Sequence, residues 1–106
     1  MILKRTAASK RAPAPRASDH ARSFVKDSER HSRSGRYDMH RVKAAMLSLI
    51  ANDAPLGPEW LDHPLRGEWD DQRECHVGGD FLLIYQIEGN FINFVRAGSH
   101  ADLFNE

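Results

Sequence analysis

The clearest regularity along the chain is a change of hydrophobic period near residue 73. Before it, apolar side chains recur at helical spacing: Met39, Val42, Met46, Leu49 and Ile50 share one stripe, with Arg41 and Lys43 off it. That spacing predicts a helix over about 37–51, its Met and Leu stripe facing a core, stopped by Asn52-Asp53-Ala54-Pro55. A basic helix is expected upstream, from an N-cap at Ser18 or Asp19 to about Arg33, broken by Gly35. A first strand over part of 15–20 is the poorer reading of that stretch. Residues 53–72, with Pro55, Pro58, Pro64 and Gly67, read as a connector. Beyond them, 73–77 alternates, Val77-Gly78-Gly79-Asp80 turns, and 81–87 is nearly continuously apolar, as a central strand should be. Glu88-Gly89-Asn90 signals a hairpin, and 91–97 follows as the next strand. Helices first and an antiparallel meander last predict an α+β domain, with two N-terminal helices packed on a small antiparallel sheet.

Charge changes the picture more than composition does. Residues 1–43 hold twelve Lys and Arg against four acids, while 44–106 hold three Arg against eleven acids, so a net charge of zero hides two opposed halves. A basic half implies an anionic partner, and RNA is the obvious one, because Lys and Arg on phosphates release counterions. Arg22, Lys26, Arg30 and Arg33 on the basic helix are the candidate RNA- or ribosome-binding residues; the competing reading is a solvated helix face. Residues 1–14 read as a flexible basic extension, with Pro13 opposing a helix, ahead of one domain over 15–106. The 106 residues contain no run of the roughly 18 apolar positions that a membrane span needs, so no membrane partner is expected. The single cysteine, Cys75, excludes an internal disulfide and fits a cytoplasmic setting as a small buried residue.

Three histidines fall at odd places for structural residues: His63 in a Pro-flanked loop, His76 in the first meander strand, and His100 just after the last strand. Asp80 opens the central strand and Arg96 nearly closes the last one. Alternation puts Glu74 and His76 on one face, Cys75 and Val77 on the other, and Ile92, Phe94 and Arg96 together. Such a set suits RNA cleavage by internal transesterification. One group takes the 2′-hydroxyl proton, another protonates the leaving 5′-oxygen, and a cation stabilises the phosphorane. Other readings remain open on spacing alone: structural histidines, a metal site built from the same imidazoles, or a Cys75–His76 nucleophile pair.

Four motifs in order carry a resemblance. Glu59-Trp60-Leu61-Asp62-His63-Pro64-Leu65-Arg66-Gly67-Glu68-Trp69, Arg73-Glu74-Cys75-His76, Asp80-Phe81-Leu82-Leu83-Ile84-Tyr85, and Arg96-Ala97-Gly98-Ser99-His100-Ala101-Asp102-Leu103-Phe104 together resemble the YafQ-type toxins of the RelE/ParE superfamily. The match spans about 53–105, is weaker over 19–52 and is absent over 1–14. The resemblance implies a compact RelE-like, microbial-ribonuclease-like fold. It also implies a toxin of a type II toxin–antitoxin system that enters the ribosomal A site, cleaves mRNA without metal or other cofactor, and inhibits translation. A cognate antitoxin would be its partner in a heterocomplex. Carried over by position, His63, His76, Asp80, Arg96 and His100 take the catalytic roles, and Phe81 and Phe104 contact substrate. Phe81 stands where some members carry Trp, and the strand expected before the first helix is poorly written here. The rival within the same superfamily is a non-enzymatic ParE-like toxin acting on a protein such as gyrase.

Overall fold

A computed structural model describes residues 14–104. The elements run β1 (Ala17–His20), α1 (Arg22–Ser34), α2 (Met39–Ala51), β2 (His63–Pro64), β3 (Arg73–Gly78), β4 (Phe81–Glu88), β5 (Phe91–Ser99) and α3 (His100–Phe104). Two 3-10 turns, Pro58–Trp60 and Gly67–Trp69, flank β2. The strands form one sheet in the order β1-β5-β4-β3-β2, antiparallel throughout except where β1 lies parallel to β5. The expected α+β architecture and its meander are therefore present. The extension expected over 1–14 lies, apart from Ala14, outside the described residues.

The helix expected to start at Ser18 or Asp19 starts later, because those residues belong to β1 instead. Its backbone is tied at both ends: Ala17 N donates to Asn90 O at 2.9 Å, and Ala21 N to Phe94 O at 2.8 Å. The cap of α1 is then Ala21, with no side-chain hydrogen bond. Helix α1 buries Phe24, Asp27 and His31 on one stripe and ends at Gly35, whose φ of 69° is cheap only for glycine. Helix α2 begins two residues later than expected, at Met39, because the Asp38 side chain accepts from His40 N and caps it there. It buries Val42, Ala45 and Leu49, and it ends at Asn52 in the left-handed region.

Strand β4 is buried on both faces, which explains its unbroken apolar run. Phe81, Leu83 and Tyr85 join the core under α1 and α2, while Leu82 and Ile84 pack on the opposite side with Leu65, Trp69, Val95, Leu103 and Phe104. In β5, Ile84 pairs with Arg96 but Tyr85 pairs with Phe94, so Val95 is an extra residue and the strand bulges. The bulge resets the alternation, and Ala97 rather than Arg96 joins Ile92 and Phe94 in the helix-side core. The face expected to be shared by Ile92, Phe94 and Arg96 is thus broken. A matching irregularity at Val77 lies between His76 and Gly78.

Candidate active site

The face of the sheet away from the helices collects the histidines. His63 sits in β2 directly opposite Glu74 of β3. The loop bearing it is clamped from below: Asp62 accepts from Arg73 Nη2 at 2.7 Å and Nε at 2.8 Å, and from the Tyr85 hydroxyl. Burial, then Asp62, pushes the Tyr85 hydroxyl well above its ordinary pKa, so it stays a donor. Glu74 is 4% exposed, and its Oε2 lies 2.9 Å from His63 Nε2 and 3.5 Å from His76 Nε2. One buried carboxylate thus serves two imidazoles.

The other end of the site is built by a reversal of chain. Ser99 closes β5 and begins α3 with a reciprocal cap: Asp102 N donates to Ser99 Oγ at 3.1 Å, and Ser99 N to Asp102 Oδ2 at 3.4 Å. Helix α3 folds back tightly because Gly98 has no side chain. A β-carbon there would sit 3.2 Å from Leu103 Cδ2 and 3.3 Å from Asp102 Cβ. This turn aims His100 Nδ1 at Asp80 Oδ1, 2.5 Å away. The hydrogen bond with His100 holds the Asp80 carboxyl below its ordinary pKa, so it faces the imidazole ionised.

The rings form one continuous row. Centroids are 6.4 Å apart for His63 and His76, 6.0 Å for His76 and His100, and 6.0 Å for His100 and Phe104. Trp69 extends the row edge-on to Phe104 at 5.5 Å. His63, His76, Asp80, His100 and Phe104 are therefore brought together, as expected from the sequence. Arg96, expected in the same set, is not in that row: it and Glu74 pair with Ile84 from opposite sides, one strand to each side of β4. Its guanidinium is held by Asp27 of α1, with Nε 2.7 Å from Oδ2, and that hydrogen bond raises the guanidinium pKa further.

Phe81 is not part of the site. It is 1% exposed and stacks on Tyr37 at 4.2 Å beneath α1, because it alternates inward with Leu83 and Tyr85. The expectation that it contacts substrate is corrected accordingly. Arg22, Lys26, Arg30 and Arg33 are exposed along one side of α1. Cys75 is fully buried and its thiol is pushed up to about 12, first by burial and then by Asp62, which removes it as a nucleophile.

Two acids escaped the sequence reading. Glu74 was legible only as a facing neighbour of His76, and its bridging role depends on the register of β2. Asp27 is an acid on the buried stripe of a basic helix, and that misplaced charge was its signal. The nitrogens of His63 and His76 and a Glu74 oxygen lie within 4.8 Å of one another, close enough to hold a metal ion. Neutral imidazoles and a carboxylate suit zinc or copper.

Residues 16–105 match a family described as a bacterial toxin of a type II toxin–antitoxin system, YafQ. The mRNA interferase toxin YafQ of Escherichia coli (strain K12) is 43% identical over 67 residues, which are 63% of this chain and 73% of that protein. The toxin fold in the E. coli DinJ-YafQ toxin-antitoxin complex superposes with a TM-score of 0.78 at 36% identity, covering 85% of this chain and 98% of that one. A metal-bound toxin from Helicobacter pylori gives a TM-score of 0.74 at 37% identity, covering 84% of this chain and 99% of that one.

Proposed function

Because the chain belongs to the YafQ family of type II toxin–antitoxin toxins, we propose that it cuts mRNA on the ribosome with two carboxylate–imidazole pairs. The protein is an mRNA endoribonuclease, and a cognate antitoxin is its partner. With relatives named as mRNA interferases, the gyrase-directed alternative falls away. No helix among the described residues is long and apolar enough to cross a membrane. Action on the ribosome, as proposed, would be action in the cytoplasm.

The observation carrying this reading is that the two pairs face each other. Glu74 holds His63 and His76 at one end, and Asp80 holds His100 at the other, with the His76 and His100 rings 6.0 Å apart. A phosphodiester between them meets a base and an acid at once. The base takes the proton from the 2′-oxygen, which bonds to phosphorus. The phosphorus–5′-oxygen bond breaks, and the acid gives the 5′-oxygen a proton, leaving a 2′,3′-cyclic phosphate and a 5′-hydroxyl. We assign the base to the Glu74-bound pair and the acid to His100. Arg96, steadied by Asp27, is the cation for the charge on the phosphorane. Phe104 with Trp69 offers an aromatic wall on which a flanking base can stack.

A metal held by His63, Glu74 and His76 would occupy the lone pairs that the proton transfer needs, so the two uses of that set exclude each other. The exposed stripe of Arg22, Lys26, Arg30 and Arg33 supplies the contact with ribosomal RNA phosphates. The test is cleavage of one mRNA, free and in the A site of purified ribosomes, with and without a chelator and with magnesium supplied for the ribosome. Cleavage should require the ribosome and survive the chelator. Reversing the four charges should weaken ribosome association and flatten its salt dependence. Equal cutting of free mRNA would refute the ribosomal part, and loss of cutting restored by one specific metal would refute the acid–base part.

A further inference from the structure

One buried imidazole is not used by this mechanism. His31 is 5% exposed and stands edge-on to Tyr37 at 5.2 Å and to Phe81 at 4.9 Å. Phe81 is the residue after Asp80, and its cross-strand partner Ser99 is the residue before His100. On its other side, His31 Nε2 lies 3.8 Å from Asp102 Oδ2, and Asp102 is the acid that closes the cap of α3 on Ser99. His31 therefore touches the chain on both sides of the hydrogen bond between Asp80 and His100.

We propose that His31 is a positioning residue for the Asp80–His100 pair, holding the start of β4 and the start of α3 at one separation. This rests on reading His100 as a proton-transfer group. An apolar ring would pack edge-on against the stacked Tyr37 and Phe81 equally well. What the imidazole adds is a polar atom directed at the one residue that fixes the pitch of α3. The charged groups facing it are Asp102 from α3, Arg30 and Asp27 from its own helix, and Arg36 from the turn after it. Arg30 Nη2 lies 3.3 Å from Nε2 and donates to it only in the neutral tautomer protonated at Nδ1; the tautomer protonated at Nε2 presents its N–H to Asp102. Burial first, then Arg30, keep the ring neutral down to a lower pH than an ordinary histidine. In the protonated ring Nε2 always carries a proton and cannot accept from Arg30, so the tie to Asp102 and α3 tightens as pH falls.

Two variants separate positioning from packing. His31→Phe keeps the aromatic contacts and loses the polar one; Asp102→Asn keeps an oxygen for the Ser99 cap and loses the charge. Each should slow single-turnover cleavage roughly 3- to 30-fold with KM changed by no more than about twofold. The double variant should be no slower than the slower single, because both remove one contact. In both, the titration of the His100 ring followed by NMR should move. That measurement is made on free protein, so it tests the inference even if mRNA cleavage itself were misassigned. If His31→Phe fails to fold, Asp102→Asn decides, since its side chain is 42% exposed in the native fold. A folded Asp102→Asn whose His100 titrates as in the wild type, or a double variant whose losses multiply, overturns the proposal.

Discussion

The two carboxylate–imidazole clusters assigned above to proton transfer sit in opposite surroundings. Glu74 lies under the sheet surface, its side chain 5% exposed, between two histidines delivered by separate strands. Asp80 stands at a turn with 58% of its side chain exposed, facing one histidine delivered by a helix that folds back on its own strand. In a site of low exposure, a carboxylate without its partners is costly, and its attraction for them is little screened. At the exposed turn, water competes for both groups and the pair contributes orientation more than energy. The proposed mechanism thus rests on a buried end held rigidly by its own contacts and an exposed end open to solvent.

Breaking the buried end should therefore hurt more. Glu74→Gln keeps the shape and an oxygen where Oε2 faces both imidazoles, but it removes the buried charge that draws them together. We expect a loss of about a hundredfold in single-turnover rate, within the range for removing an acid–base group. Thermal denaturation should show a destabilisation of about 1–3 kcal/mol as these buried hydrogen bonds lose their charge assistance. Asp80→Asn should cost about fivefold or less in rate, as exposed pairs usually do, and leave the melting temperature unchanged. Its pH signature sharpens the contrast. The carboxyl is held below its ordinary value of 3.8 by His100, so the pair is intact above that pH and is lost only as pH falls through the lowered value. Asp80 itself should therefore add no inflection to the rate profile above about pH 5; an inflection there that persists in His100→Ala and vanishes in Asp80→Asn would contradict this.

How far the sequence foretold this depends on what each residue contacts. The meander was legible because β4 is buried on both faces and β3 puts apolar Cys75 and Val77 in the core on either side of polar His76. The helix stripe through Val42 and Leu49 was legible for the same reason: local period reports burial. Strand β1 was not, since all four of its residues are exposed and its partner lies more than seventy positions away. The bulge at Val95 adds one residue to β5, and no local pattern marks such an insertion. The histidines that matter could be picked out by their places in loops and strand ends, with the family resemblance giving them roles. Glu74 could not, because its service to His63 exists only once β2 is paired. Phe81 was misjudged because a continuously apolar run does not show which face each residue takes, and its role came from the resemblance alone.

The central claim is that His100 transfers a proton in the step that breaks the phosphodiester. Its most direct test is single-turnover cleavage of mRNA in the ribosomal A site by His100→Ala, with ribosome binding and thermal stability measured on the same preparation. The account predicts unchanged binding, an intact fold, and a rate lower by about a hundredfold to ten-thousandfold. A folded, ribosome-bound His100→Ala protein that cuts at close to the wild-type rate would contradict it.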